Sequence, residues 1–125
     1  MHALRSHGAF YQLERIALPR SPAPRVSVPG FTVRPIDTPE ALADEGSRMG
    51  HCVASWLPRV MAGDTWLYSA RAGGVRVTIA IERAGAGGPF RIIEARLAND
   101  LHPTAHQRRL LETWLRALNA SGEAP

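Results

Sequence analysis

VRVTIAIER, the sequence of residues 75–83, alternates apolar and polar side chains over its whole length. A period of two is typical of a β-strand that buries one face. The apolar side carries Val75, Val77, Ile79 and Ile81, and the polar side carries Arg76, Thr78 and Glu82. Weaker patterns of the same kind predict further strands at residues 66–71 and 90–97.

Glycine-rich segments separate the three predicted strands, at residues 72–74 and 84–89. Short glycine turns between neighbouring strands favour an antiparallel meander. A helical apolar stripe after Pro103 predicts a final helix, with Gln107 among the side chains expected to face water. The sequence therefore predicts an α+β domain, in which helices pack on one face of a small three-stranded antiparallel sheet.

Two helices are predicted before this meander. Thr38 suits the N-cap position because its hydroxyl can accept a backbone N–H bond, and the proline after it suits the first helical position. The first helix is expected to end at Gly46. The second helix is expected to begin after a cap at Ser47 and to be kinked or ended by Pro58. Gly63 is expected to close this segment in the left-handed conformation.

Proline is frequent in the N-terminal part of the chain, particularly at residues 19–30. Proline breaks helices and favours extended backbone. Residues 31–36 favour a brief edge strand, because a proline cannot donate to a sheet ladder. The predicted organisation is an N-terminal extension or linker at 1–30, a single domain at 31–120 and a frayed tail at 121–125.

The composition restricts the class of protein. A chain of 125 residues with 45% hydrophobic side chains is enough for one domain and has a usable core. No stretch approaches the roughly 18–20 apolar residues of a membrane helix, and the N-terminus does not resemble a secretory signal. The single cysteine, Cys52, excludes an internal disulfide. These observations predict a cytoplasmic protein with no membrane partner and no cofactor.

All fifteen basic side chains are arginine, and the net charge is +4. A GC-rich genome, which favours arginine codons, is one explanation. The other is contact with phosphates, since guanidinium groups bind them with two parallel hydrogen bonds. The partner would then be DNA or RNA, with a partner protein as the other possibility. The candidate contacts are Arg48, Arg71, Arg76, Arg108 and Arg109.

Reactive residue types are densest at residues 45–56, which have the sequence EGSRMGHCVASW. This run and the residues after it resemble the PcfJ-like domain family. The matching residues are Glu45-Gly46, Met49, His51-Cys52-Val53, Ala54-Ser55-Trp56, Gly63, Asn99, Pro103 and Trp114. The resemblance covers about residues 40–118. It implies an α+β fold and a setting on conjugative plasmids or phages, and no established activity comes with it.

Cys52 has two interpretations. It is either a core side chain in the apolar stripe of its helix or a nucleophile activated near the helix N-terminus. His51 is a poor base for it, because adjacent helical residues point about 100° apart. A histidine from elsewhere, His102 or His106, would be the better base, oriented by an Asn or Asp. The candidate catalytic residues are His51, Cys52, Asn99, Asp100 and His102.

Other chemistry is less well supported by the sequence. His102 and His106 have a spacing compatible with a metal, but no Cys-x-x-Cys or His-Glu-x-x-His motif accompanies them, and no metal site is predicted. The tryptophans, Trp56, Trp66 and Trp114, are expected in the core. The leading expectation is an accessory domain that binds nucleic acid or a partner protein. The alternative is a small cysteine-dependent hydrolase or transferase.

Overall fold

The computed structural model describes residues 18–50 and 53–123. These residues form one four-stranded sheet and three α-helices, with two short 3-10 turns. The order along the chain is β1 (Phe31–Pro35), α1 (Pro39–Met49), a 3-10 turn (Val53–Trp56), α2 (Leu57–Met61), β2 (Thr65–Ala72), β3 (Val75–Arg83), β4 (Phe90–Arg96), a 3-10 turn (Ala98–Asp100) and α3 (Ala105–Glu123). The predicted α+β class is confirmed.

The sheet is antiparallel throughout and has the order β1-β2-β3-β4. The predicted count of three strands is wrong, because β1 adds a fourth at the edge beside β2. The brief edge strand expected at residues 31–36 is that strand. A glycine turn, with positive φ at Gly73 and Gly74, joins β2 to β3. Because such a turn is a hairpin signal, the pairing of β2 with β3 could be predicted from the sequence. Two helices intervene between β1 and β2, so no turn signal indicates that pair.

One face of the sheet packs against α3. Val77, Ile79 and Ile81 of β3 are fully buried there, as the alternation predicted. Trp114 of α3 is 1% exposed, and its ring centroid lies 5.2 Å from that of Tyr68 on β2. This face is an apolar core, and the burial of its side chains favours folding.

The other face packs against α1 and α2. Leu42 of α1 and Val60 of α2 form a second buried cluster with Leu67 of β2 and Ala80 of β3. Helices therefore cover both faces, and the prediction that they pack on one face is wrong. The sequence predicted no helix over the polar side of β3. It is covered instead, because α1 supplies a carboxylate that satisfies its polar groups.

The start of α1 was predicted well and its end was not. The Thr38 hydroxyl accepts a hydrogen bond from the Ala41 amide at 3.1 Å, which confirms the N-cap. The helix passes through Gly46 and Ser47 and ends only at Gly50, whose φ of 63° forms a left-handed cap. Leu42, Glu45 and Met49 are buried on one side of α1, and this anchoring outweighs the weak helix propensity of glycine.

The helix predicted to begin at Ser47 is replaced by the 3-10 turn and α2. Pro58 occupies the first turn of α2, where a missing amide hydrogen is tolerated, rather than ending a helix. Gly63 has a φ of 78° after α2, so its left-handed conformation is confirmed.

A reciprocal capping box fixes the start of α3. The Thr104 amide donates to Gln107 Oε1 at 2.7 Å, and the Gln107 amide donates to Thr104 Oγ1 at 3.3 Å. Gln107 is buried by this arrangement, so the expectation that it faces water is wrong. Near the other end of α3, the Asn119 side chain bonds both backbone groups of Phe90, which ties the helix to the start of β4.

The segment before β1 lies against the domain. Leu18 and Val28 are buried, and Ala23 and Val26 pack on the core beneath α3. The Tyr68 hydroxyl donates to Ser21 Oγ. Burial of the Tyr68 ring raises the pKa of its phenol above the ordinary value of 10.0, against a smaller opposing effect of the Ser21 hydrogen bond.

Candidate anion-binding groove

A buried carboxylate joins α1 to β3. Glu45 is fully buried, and its Oε1 accepts hydrogen bonds from Nε of Arg76, at 3.0 Å, and from Nη2 of the same residue. Its Oε2 accepts a hydrogen bond from the Thr78 hydroxyl. Each carboxylate oxygen thus has a partner, as burial of a charge requires. The result is an Arg76 guanidinium in a fixed position at the edge of α1.

Asp44 holds a second guanidinium beside the first. Both of its oxygens accept from Arg48 Nε, at 2.9 and 3.0 Å, and Oδ2 lies 3.6 Å from Arg76 Nη2. The hydrogen bond from Arg48, together with the positive charges of Arg48 and Arg76, holds the pKa of Asp44 below its ordinary value of 3.8. The carboxylate therefore stays ionised near neutral pH and aligns the two arginines.

An open groove of about 560 Å³ lies between this cluster and the loop that follows β4. Three arginines line it, one each from α1, β2 and β3, namely Arg48, Arg71 and Arg76. Apolar side chains form most of the rest of its wall, including Val75, which is 42% exposed, and Leu101, which is 61% exposed. Arg71 is exposed and makes no ion pair within residues 18–50 and 53–123.

The loop after β4 approaches the end of α1 very closely. Asn99 and Asp100 have positive φ angles of 58° and 63°, which few residues other than glycine adopt. Asn99 lines the groove, and its Oδ1 lies 2.8 Å from the position that a Cβ on Gly50 would occupy. Gly50 is thus required both by its own φ and by the space that Asn99 takes. This contact places the Asn99 amide beside the residue that precedes His51.

The structure brings four of the sequence-predicted site residues together at the groove, and these are Arg48, Arg71, Arg76 and Asn99. Arg108 and Arg109 are exposed on α3, which covers the opposite face of the sheet, and they do not line the groove.

The other predicted catalytic residues have different neighbours. Asp100 Oδ1 lies 3.4 Å from Arg96 Nε, and His102 Nδ1 lies 3.4 Å from Arg96 Nη1. His106 Nε2 lies 3.5 Å from where a Cβ on Gly73 would be, at the β2–β3 turn. His51 and Cys52 fall outside the described residues, so the cysteine-dependent alternative remains a hypothesis from the sequence.

The roles of several residues of the site were not predicted. Asp44 carried a signal, because an acidic residue four positions before Arg48 on a helix favours an ion pair. The role of Glu45 as a buried partner of Arg76 and Thr78 had no local signal, since these residues lie 31 and 33 positions away along the chain. Leu101 had none either, because its place in the groove depends on the conformation of the preceding Asn99-Asp100 pair.

The tryptophans contribute no surface to the groove. Trp114 is in the core as predicted, whereas Trp56 and Trp66 are only half-buried. The Trp66 ring packs edge-on against Phe90 with a centroid distance of 6.3 Å. The guanidinium of Arg59 stands 5.1 Å from the ring centroid of Trp56.

A separate cavity of about 510 Å³ lies between the segment before β1 and the α3 side of the sheet. Its lining includes Arg20, Arg25 and Arg34, together with Tyr68 and Trp114. No residue that the sequence singled out for catalysis or nucleic-acid contact lines this cavity. The groove, where four such residues meet, is therefore the candidate site.

Comparisons of the chain with family models, with curated proteins and with solved structures found no match. Within the part of the chain that the structure describes, no group of three or more His, Cys, Asp or Glu side chains is placed to hold a metal ion. The helices formed by those residues are too short or too polar to cross a membrane.

Proposed function

We propose that the groove binds the phosphate groups of a nucleic acid, and that the chain is an accessory nucleic-acid-binding domain of a conjugative element or phage. The observation that carries the binding proposal is the convergence of Arg48, Arg71 and Arg76, from three different elements, on one open groove. The setting on a mobile element rests on the resemblance of residues 45–56 and their flanks to PcfJ-like domains.

The exposure and the ion pairs of the three arginines favour an anionic ligand. Arg71 is exposed and has no carboxylate partner in the described ranges. Arg48 keeps 63% of its side chain exposed despite its ion pair with Asp44. Arg76 is held from behind by Glu45, so it is positioned before any ligand arrives. Guanidinium groups that are aligned in advance lose less freedom when they bind phosphate.

The groove walls and the overall charge favour nucleic acid over a small anion. Exposed Val75 and Leu101 offer apolar contacts beside the arginines, which suit sugars and base faces. The net charge of +4 adds a long-range attraction to a polyanion, since each neutralised phosphate releases a counterion. An acidic surface of a partner protein would use the same charges but would gain less from counterion release.

The test is fluorescence anisotropy with a labelled mixed-sequence oligonucleotide, as DNA and as RNA, starting at roughly 50 mM salt. Arg71→Glu is expected to weaken binding by about tenfold or more and to reduce the slope of log affinity against log salt by about one. The matched control is Arg116→Glu, which makes the same charge change on an exposed position of α3, on the opposite face of the sheet.

Three outcomes separate the possibilities. Loss of affinity in Arg71→Glu with near-normal affinity in Arg116→Glu supports the groove. Equal losses in both variants would mean that only net charge matters, which contradicts a site. No binding by the unaltered protein at micromolar concentration and low salt would remove nucleic acid as the ligand and leave an acidic partner protein.

A further inference from the structure

The basic surface does not stop at the groove. A second, smaller depression of about 310 Å³ shares Arg71 and Arg76 with it and continues towards the sheet edge. Its other polar lining residues are Thr32 and Arg34 of β1 and Ser69 of β2. The two depressions therefore meet at Arg71 and Arg76 and form one continuous surface from α1 to β1.

The strand register places these side chains on the same face. Thr32 pairs with Arg71, and Arg71 pairs with Arg76, so the three form one row across β1, β2 and β3. Arg34 pairs with Ser69 in the next row on that face. Directly paired residues project to the same side of an antiparallel sheet. Since neighbouring strands lie about 4.8 Å apart, the row crosses about 10 Å from β1 to β3.

Carboxylates are distributed unevenly along this surface. At the α1 end, Asp44 and Glu45 are paired with Arg48 and Arg76. At the β1 end, Arg34 and Arg71 are exposed and make no ion pair with any described residue. Asp37 is close in sequence and lines the separate cavity with Arg34, but it does not pair with it. The uncompensated positive charge therefore lies over β1 and β2.

We infer that the ligand is a single strand of nucleic acid that crosses the sheet from the α1 groove to β1, with phosphates at Arg48, Arg71 and Arg34. This inference rests on the proposed function and names its substrate class and path. Apolar Val75 and Leu101 border the path at its groove end. A single strand offers unstacked base faces to such side chains, whereas a duplex buries them in its stack.

The length of the path sets a site size. An unstacked strand is more extended than a stacked one, so the 3.4 Å rise of a stacked strand gives an upper limit of about three nucleotides for 10 Å, and Arg48 extends the path by about one more. Affinity should therefore rise steeply with oligonucleotide length up to about four nucleotides. Beyond that length, affinity should rise only because a longer oligonucleotide offers more positions at which the site can bind it.

The test compares Arg34→Gln with Arg116→Gln, using a single-stranded oligonucleotide of about 12 nucleotides and a hairpin duplex of similar length as competitor. Arg34→Gln should weaken single-strand binding by about threefold to tenfold and lower the salt slope by about 0.7, the value for one phosphate contact on a single strand. Arg116→Gln should leave both quantities unchanged. The single strand should outcompete the duplex by about tenfold.

The results separate this inference from the proposed function. If Arg71→Glu abolishes binding while Arg34→Gln behaves like Arg116→Gln, the groove binds phosphate but the path across β1 is wrong. Equal competition by the duplex would also overturn the single-strand assignment. If the unaltered protein binds neither ligand, the proposed function itself fails and the inference falls with it.

Discussion

Helices cover both faces of the sheet, and both faces bury apolar side chains, but the α1 face also contains a buried ion cluster. On the α3 face, Val77, Ile79 and Ile81 meet Leu111, Trp114 and Leu118 in a cluster without a charged side chain. On the α1 face, the same strand presents Arg76 and Thr78 to the buried carboxylate of Glu45. Alternate residues of β3 thus contribute to an apolar core on one side and to an ion cluster on the other.

The two faces therefore have different roles, since the apolar core stabilises the fold and the ion cluster positions an arginine side chain. Burial of apolar area contributes directly to the free energy of folding. A buried ion pair contributes little net stability, because desolvation offsets most of the attraction, and an apolar replacement of similar volume often does as well. The Glu45–Arg76 pair is therefore better explained by what it positions. It holds a guanidinium at the edge of the groove, where the proposed ligand would bind.

The largest expected effect is on the apolar face. Trp114→Ala should lower the free energy of unfolding by about 3–5 kcal/mol, because it removes a fully buried ring and leaves a cavity. The measurement is urea denaturation followed by circular dichroism. Trp66→Ala is the matched control, since Trp66 is the same residue type and only half-buried. Trp66 packs at the border of the same cluster, so a loss there as large as that at Trp114 would mean that the depth of burial of the ring does not determine the loss.

The next effect tests the charged face. Glu45→Ala should lower the free energy of unfolding by about 2–4 kcal/mol, because it leaves Arg76 and Thr78 without their buried partner. The loss is reduced by the 16% exposure that the Arg76 side chain retains and by nearby Asp44. Denaturation with urea again gives the value.

A paired variant distinguishes lost packing from unpaired charge. Glu45→Met combined with Arg76→Met replaces both partners by apolar side chains and should recover most of the stability that Glu45→Ala loses. It should still bind oligonucleotides more weakly than the unaltered protein, because a groove arginine is gone. If the double variant is as unstable as Glu45→Ala, unpaired charge is not the cause of the loss.

What the sequence could predict was the local part of the fold. The alternation at residues 75–83, the cap at Thr38 and the left-handed Gly63 depend on neighbouring residues, and the structure confirms them. The alternation shows which side chains share a face, but it does not show what covers that face. The prediction placed helices on only one face of the sheet, and the second helical layer was missed.

The sequence could predict some of the residues that belong to the site, but not that they lie close together. Arg48, Arg71 and Arg76 were predicted as phosphate contacts together with Arg108 and Arg109, and Asn99 was predicted separately as a candidate catalytic residue. Their convergence depends on contacts between α1 and a loop about fifty residues later, and on the register of β2 with β3. Neither of these follows from local patterns.

The smallest effect tests that long-range contact at the edge of the groove. Gly50→Ala should lower the free energy of unfolding by about 1–2 kcal/mol, because the new Cβ meets Asn99 Oδ1 at 2.8 Å and φ is positive. Gly63→Ala is the matched control, since it has a positive φ of 78° but no heavy atom within 4 Å of the added Cβ. The difference between the two losses is therefore the part of the free-energy loss that the contact with Asn99 causes.

A double variant tests that contact directly. Adding Asn99→Gly to Gly50→Ala should remove that difference and leave only the cost of the backbone angle. Equal losses at Gly50 and Gly63 would mean that the loop does not rest against α1, and the groove would then lack its Asn99 wall.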